Sequence, residues 1–463
     1  MHRPWILACA ILAGCTAYQP KPIEPAQLAQ RFEARSLSSD SLRQYLAQQL
    51  GHPVAPWPLA TWDRRMLTLA AGYYSPALEV ARAQWRTAKA GNEVAAANPN
   101  PVLQFPFEYI INHAGPGHPY TTGPSLDIPV ETAHKRGYRV DQATHLSEAA
   151  RLNLHNESWK LRSQVREALL NTFASTSRTA ALAGKVELQS QILAMQGRRE
   201  SVGDASGPDV RRAQIMLGQA QAELATARAA QLDARATLAR IVGLPLGAFD
   251  GVQIDVKEFE YAGDVPPPVE IRRATILQRA DLLAALAEYE ALQSALQLEI
   301  AKQYPDVHIG LGYTYDAGAN KISLGLASVS LPVLDRNQGA IAQALAKRDE
   351  AAARFAALQE GIIIELAHAM DRYRESVNTL QLATVAMAAT QRQMNGQAAL
   401  FAAGATDRIA RTQAQIDYRS SAIDHLNALV TAQQAAGALE DAMQRPLPAN
   451  PLEAPAARLE SLE

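Results

Sequence analysis

Two stretches of the chain alternate apolar and polar residues with a period of two, while long tracts around them repeat apolar residues at helical spacing. In the first stretch Leu103, Phe105, Phe107, Tyr109 and Ile111 alternate with Gln104, Pro106, Glu108, Ile110 and Asn112. In the second, Val307, Ile309, Leu311, Tyr313 and Tyr315 alternate with His308, Gly310, Gly312, Thr314 and Asp316. A period of two places one set on each face of a strand. Partner strands are expected near 120–131 and 321–333, across polar loops at 112–119 and 317–320. Each segment has about ten residues, the length a tilted transmembrane β-strand needs. Two features fit a regular strand poorly. Pro106 removes a ladder donor, and a phase change between Leu326 and Val329 predicts a bulge.

The remaining pattern is helical. Residues 132–200 and 338–402 carry almost no proline, and each tract would form a helix about 100 Å long. Shorter helices are expected over about 67–97, 208–241, 270–303 and 406–443, two of which laid end to end match one long helix. Leu217, Leu224, Gln231 and Leu238 recur every seven residues, as do Ala220, Ala227, Ala234 and Ile241, and Ile409, Ile416, Ile423 and Val430. A seven-residue stripe is the seam of a left-handed coiled coil. Antiparallel, supercoiled hairpins follow.

The order of landmarks repeats. Asn98-Pro99-Asn100-Pro101-Val102 is echoed by Gln303-Tyr304-Pro305-Asp306-Val307, with Pro101 and Pro305 lying 204 positions apart. Ser125-Leu126-Asp127-Ile128-Pro129-Val130 matches Ser328-Val329-Ser330-Leu331-Pro332-Val333, and Gly137 matches Gly339. The segment from Val202 to Asp209 resembles Ala403-Gly404-Ala405-Thr406-Asp407. The chain reads as two copies of one unit, at 59–262 and 263–445, with a disordered tail at 446–463.

The N-terminus reads as an address. Met1-His2-Arg3 is positive, the run from Trp5 to Leu12 is apolar and too short to span a bilayer, and Leu12-Ala13-Gly14-Cys15 has the pattern of a bacterial lipoprotein signal. The reading is a signal peptide at 1–14, lipidation of Cys15, and an extended, proline-rich tether over 15–58. By analogy with lipoprotein sorting rules, Thr16 after the cysteine favours the outer membrane. An ordinary signal with an incidental cysteine is the alternative.

Composition narrows the function classes. Lys plus Arg number 44 against 46 Asp plus Glu, so there is no basic excess to hold a nucleic acid. Hydrophobic residues make up 48% but aromatics only 6%, which suits closely packed helices rather than a thick core. Only Cys9 and Cys15 are present, so disulfide frameworks and cysteine-based zinc sites are excluded. No P-loop, Gly-x-Ser-x-Gly or His-Glu-x-x-His motif occurs, so an enzyme is not expected, and neither a cofactor nor a resident metal is. His113 and His118 read as loop residues, and His134, His145 and His155 as surface positions along one long helix.

A bilayer accepts β-structure only as a closed barrel, because an open edge leaves backbone groups unpaired in hydrocarbon. Four strands cannot close one, since membrane barrels begin at eight. Two chains would supply eight strands and a plugged interior, whereas three would supply twelve and a lumen. A trimer is therefore expected. Gln104, Glu108, Asn112, His308, Thr314 and Asp316 would then face the water inside.

These pieces in this order resemble the TolC-like outer-membrane factors of tripartite efflux systems. The resemblance rests on Asn98-Pro99-Asn100-Pro101, Arg279-Ala280-Asp281-Leu282, the Ala301-to-Asp306 segment, Gly325-Leu326, Leu331-Pro332-Val333 and the Leu238-to-Pro245 segment. Gly312-Tyr313-Thr314-Tyr315-Asp316 and Asp335-Arg336-Asn337-Gln338-Gly339 look most like the cobalt–zinc–cadmium branch. The resemblance implies a mainly helical fold with a membrane β portion. It also implies a homotrimer with a 12-strand barrel continuous with a periplasmic helical barrel. The partners implied are a periplasmic adaptor and a proton-driven inner-membrane pump of the RND type. The helical tips that would meet the adaptor are Val202, Gly203, Ala205, Ser206 and Asp209, and Ala403, Gly404 and Thr406. Asp407, Arg408 and Arg411 are the candidate periplasmic gate, with Asp407–Arg408 pairing across subunits as the hypothesis. Two other readings stay open: the duct of an ATP-driven protein secretion system, and a coiled-coil scaffold lipoprotein without a pore.

Overall fold

A computed structural model describes residues 18–112, 114–263 and 278–447. The expected lipidation at Cys15, His113, the tail from 448 onward and the first residues of the expected 270–303 helix lie outside them.

The expected extended tether instead contains two helices. Helix α1 spans Pro25–Glu33 and α2 spans Asp40–Leu50. Proline does not prevent this because Pro25 sits in the first turn of α1, where no amide partner is needed. Ser39 opens α2 by accepting from the Leu42 amide at 3.2 Å. Leu42 and Leu46, one turn apart, are fully buried. After a short strand, β1 (Thr61–Trp62), come α3 (Arg64–Tyr74) and α4 (Pro76–Ala96). The single helix expected over 67–97 is divided by Pro76, with Ser75 capping the second piece through the Leu78 amide.

The sheet segment follows: β2 (Val102–Gln104), β3 (Phe107–Tyr109), β4 (Tyr120–Thr122) and β5 (Ser125–Val130). The expected first strand is broken at Phe105-Pro106, where the donor is missing, and its partner at Gly123-Pro124. The first long hairpin is α5 (Lys135–Ser201) and α6 (Gly207–Val242), followed by β6 (Gln253–Ile254), which pairs in parallel with β1. The second half supplies α7 (Ala280–Ala301), β7 (Val307–Asp316), β8 (Ala319–Val329), α8 (Gln338–Ala402) and α9 (Arg408–Met443). At 67 residues, α5 is about 100 Å long.

All strand pairs of the larger sheet are antiparallel, in the order β2/β3, β5/β4, β7, β8. The bulge stands where the phase change put it: His308 pairs with Ser328 and Ile309 with Leu326, leaving Ala327 as the extra residue. Among the described residues the sheet stays open, with β2/β3 and β8 as its edges.

The main core gathers where α2, α3 and the C-terminal end of α6 meet the middle of α5. Leu42, Leu46, Trp62, Leu67, Val165, Leu169, Leu238, Leu244 and Phe259 form it. Towards the tips the packing thins to heptad contacts, Leu182 with Leu224, Ala227 and Ile423, then Ile192 with Ala213 and Ile416. Ala213, Ala220, Ala227 and Ala234 are all buried, so the small side of the stripe runs one heptad further than expected.

Buried charge ties the seam between α5 and α9. The Arg166 guanidinium donates to the Gln433 carbonyl at 2.9 Å and lies 3.7 Å from Glu440, which also faces Arg162 at 3.3 Å. A side chain at Gly437 would stand 2.2 Å from the Arg166 guanidinium, so glycine there leaves room for the arginine head between the helices. Arg35 plays a related part for the N-terminal segment, donating to the carbonyls of Tyr74 and Gly243 at 3.2 and 2.8 Å.

Candidate functional site

Two surfaces carry the functional candidates, the sheet at one end and the hairpin tips at the other. On the sheet, strand register sorts the side chains by face. Leu103, Leu126, Leu311 and Leu324 form one row across all four strands. Ile128, Ile309 and Leu326 form the next, and Tyr313 pairs with Ile322. These side chains are solvent-facing: Ile322 is 80% and Leu324 75% exposed. A continuous apolar surface of this kind on an isolated chain marks contact with lipid or protein. Near the loop end, aromatic rings join the same face. Tyr120 lies 6.0 Å from Phe107 and 5.2 Å from Tyr315, and His118 stacks on it at 5.6 Å. An apolar band edged by aromatics is a pattern that the outer surfaces of membrane barrels carry.

The other face is polar or bare apart from Val102 and Pro129 at its helix end. Gln104, Ser125, Gly312 and Ser323 form one row, and Glu108, Thr121, Asp316 and Ala319 another, with Thr314 opposite Lys321. Thr121 donates to Asp316 at 2.8 Å. His308 sits 3.0 Å from Asp127. Five of the six expected lumen residues therefore share this face. Asn112 does not, because β3 ends at Tyr109 and Asn112 lies in the turn beyond it.

The strand-to-helix junction explains a motif. In the Tyr304-Pro305-Asp306 segment, the Asp306 carboxylate accepts from the Thr132 amide at 2.9 Å and from Lys135 at 2.7 Å, while Thr132 donates to the Pro305 carbonyl at 2.6 Å. The start of α5 is thereby fixed to the start of β7. Helices α5 and α8 both begin after a residue of positive φ, His134 at 60° and Asn337 at 62°. In the Arg279-Ala280-Asp281-Leu282 segment, Arg279 is buried, forks onto Asp281 and donates to the Ala442 carbonyl at 2.6 Å. It closes the C-terminal end of α9. That role is not visible in the local sequence, because Ala442 lies 163 positions from Arg279.

The two tips close in the same way. The Asp204 amide donates to the Arg199 carbonyl and the Gly203 amide to Glu200; the Ala405 amide donates to Leu400 and the Gly404 amide to Phe401. This is a helix-terminating turn that needs a left-handed residue, supplied by Gly203 (φ 85°) and Gly404 (φ 72°). Val202, Gly203, Ser206, Asp209, Ala403 and Gly404 are exposed, and Ala205 and Thr406 half-buried. Asp209 accepts from the Ser206 hydroxyl and amide at 2.5 and 3.2 Å, and those hydrogen bonds hold its carboxyl below the usual aspartate value.

Two of the three expected gate residues, Asp407 and Arg411, are engaged within their own chain. Asp407 caps α9 by accepting from the Ala410 amide at 2.7 Å, and its other oxygen lies 3.7 Å from Arg199 on the opposite hairpin. Arg411 lies over the Phe401 ring at 5.0 Å. Arg408 is exposed. The in-chain partner of Asp407 is Arg199, which sequence spacing could not reveal because the two are 208 residues apart.

The helix histidines are dispersed, His134 against Tyr138, His145 against Glu290 at 3.2 Å and His155 against Arg151 at 3.1 Å. Among the described residues no group of three or more side chains could hold a metal ion, and no helix is long and apolar enough to cross a membrane.

Known proteins match this arrangement. Residues 70–244 match the family described as outer membrane efflux protein. The chain is 26% identical over 331 residues to the cobalt-zinc-cadmium resistance protein CzcC of Cupriavidus metallidurans, covering 70% of this chain and 77% of that protein. Among solved structures it is similar to the outer-membrane channel OprN, with a TM-score of 0.66 and 19% identity over 93% of this chain and 98% of OprN. It is also similar to the outer membrane protein VceC of Vibrio cholerae, with a TM-score of 0.67 and 17% identity over 83% of this chain and 96% of VceC. Residues 70–244 thus resemble the outer membrane efflux protein family, and the chain shares the fold of these outer-membrane proteins.

Proposed function

We propose that three copies of this chain pool their open sheets, edge to edge, into a 12-strand barrel in the outer membrane, and that their helices continue it as a tunnel through the periplasm. The protein is then the passive outer duct of a tripartite efflux pump. One observation carries the reading: a single open sheet is apolar across all four strands on one face and polar or bare over most of the other. That pattern needs lipid outside and water inside, and both edges need partners.

The likeness to a cobalt-zinc-cadmium resistance protein supports heavy-metal cations as cargo. The exposed tips at Val202–Gly203 and Ala403–Gly404 are the surfaces for a periplasmic adaptor, through which a proton-driven inner-membrane pump would deliver cargo. Lipidation at Cys15 would add an anchor. Purified protein placed in planar bilayers should give discrete conductance steps and behave as a trimer in detergent. A stable monomer without conductance would overturn the reading in favour of a scaffold. Loss of zinc, cobalt or cadmium tolerance in a deletion strain, with antibiotic tolerance kept, would identify metals as the cargo. A secretion defect that depends on an ATP-driven exporter would point to protein export instead.

A further inference from the structure

We propose that His308 is a docking point for transition-metal cations on the polar face of the sheet, preset by Asp127. The inference rests on the duct reading for its access to passing ions. Nδ1 of His308 lies 3.1 and 3.0 Å from the two oxygens of Asp127. A carboxylate only accepts, so Nδ1 carries the proton and the neutral ring keeps its free lone pair on Nε2. This is the arrangement by which a carboxylate orients a metal-binding histidine and raises its basicity.

The surroundings leave Nε2 accessible. The His308 side chain is 35% exposed and that of Asp127 27%. In the row of Asp127 the neighbouring positions are Val102 on one side and Gly310 and Gly325 on the other, and His308 itself pairs with Pro129 and Ser328, so on the β7–β8 side little side-chain bulk covers the pair. Asp306 does not compete, since Thr132 and Lys135 engage it. Among the described residues Nε2 has no hydrogen-bond partner, and no third metal-binding side chain completes a cluster. The site therefore supplies one nitrogen, with water filling the other positions. A hydrated cation exchanges one water for Nε2 and no proton leaves the neutral ring. Imidazole suits zinc, cobalt and copper, whereas magnesium and calcium prefer oxygen. Weak, single-ligand binding of that selectivity suits a passage that must release what it holds.

The test is labelling of the full-length, detergent-extracted protein with diethyl pyrocarbonate, which modifies a free imidazole nitrogen, read at His308 by peptide-resolved mass spectrometry. Zinc should slow labelling at His308 while magnesium at the same concentration does not. Asp127→Asn should raise the zinc concentration for half-protection about tenfold or more. Equal labelling of the wild-type protein with and without zinc, or equal protection by magnesium, would overturn the site. An unchanged half-protection concentration in Asp127→Asn would overturn the role of the carboxylate. Conductance steps in bilayers without zinc protection would sink the metal site alone. Zinc protection without conductance would sink the duct alone.

Discussion

Replacing Leu324 with arginine sets the lipid-facing reading of the sheet against its opposite. Leu324 is the sixth residue of the 11-residue β8 and pairs with Leu311, the fifth of the ten in β7. Ten residues rise about 33 Å along the strand. Tilted by about 45°, they span about 23 Å, close to the apolar band of an outer-membrane barrel. Leu324 then lies near the bilayer midplane, where arginine costs about 2–4 kcal/mol. Three copies in one barrel would bring the cost to about 6–12 kcal/mol, comparable with the whole stability of many folded proteins. Ser323 is the adjacent residue on the other face, opposite Gly312. Arginine there would meet water and alter conductance and ion selectivity. The assay is refolding into phospholipid vesicles against a urea gradient, with trimer recovered in the outer-membrane fraction as the cellular counterpart. Leu324→Arg should fail in both, and Ser323→Arg should insert with changed conductance. If Leu324→Arg inserted like wild type while Ser323→Arg failed, the assignment of faces would be wrong and the barrel argument with it.

Other expectations concern the seam and the tips. Glu440→Ala leaves Arg166 and Arg162 without their shared carboxylate beside α9 and should cost about 3–5 kcal/mol in thermal melting, whereas Glu440→Leu with Arg166→Met should recover most of it. Gly404→Ala forces a side chain into a left-handed turn at φ 72° and should cost roughly 1–2 kcal/mol, visible as faster hydrogen exchange at the second tip and not the first. Asp407→Ala removes a helix cap and should destabilise the first turn of α9 by about 1 kcal/mol, with little added by loss of the exposed Arg199 contact. Asp209 titrates below its ordinary value because of Ser206, so its stabilising effect is fully present above that ordinary value and is lost as pH falls through the depressed one. Hydrogen exchange in the first turn of α6 should rise over that acid range, and Asp209→Asn should abolish the pH dependence.

Local chemistry made much of the architecture legible. The proline-free tracts became α5 and α8 within a few residues, since nothing in them interrupts backbone hydrogen bonding over such a length. Period-two alternation identified β7 and its bulged partner β8, because strand geometry sends alternate side chains to opposite faces whatever the sheet later joins. Glycine marked both tips because only that residue enters a left-handed turn without steric cost. Proline density misled at the N-terminus: a proline at a helix start costs nothing, and burial of Leu42 and Leu46 against α3 decides the outcome. Arg199 beside Asp407, Asp127 beside His308 and Arg279 on the end of α9 were hidden for a different reason. Each joins residues 163 to 208 positions apart, or 181 in the case of the histidine, and only the packing of hairpins and strands brings them together. Spacing along a chain reports which face a residue takes on its own element. What lies opposite that face is set by how the elements meet.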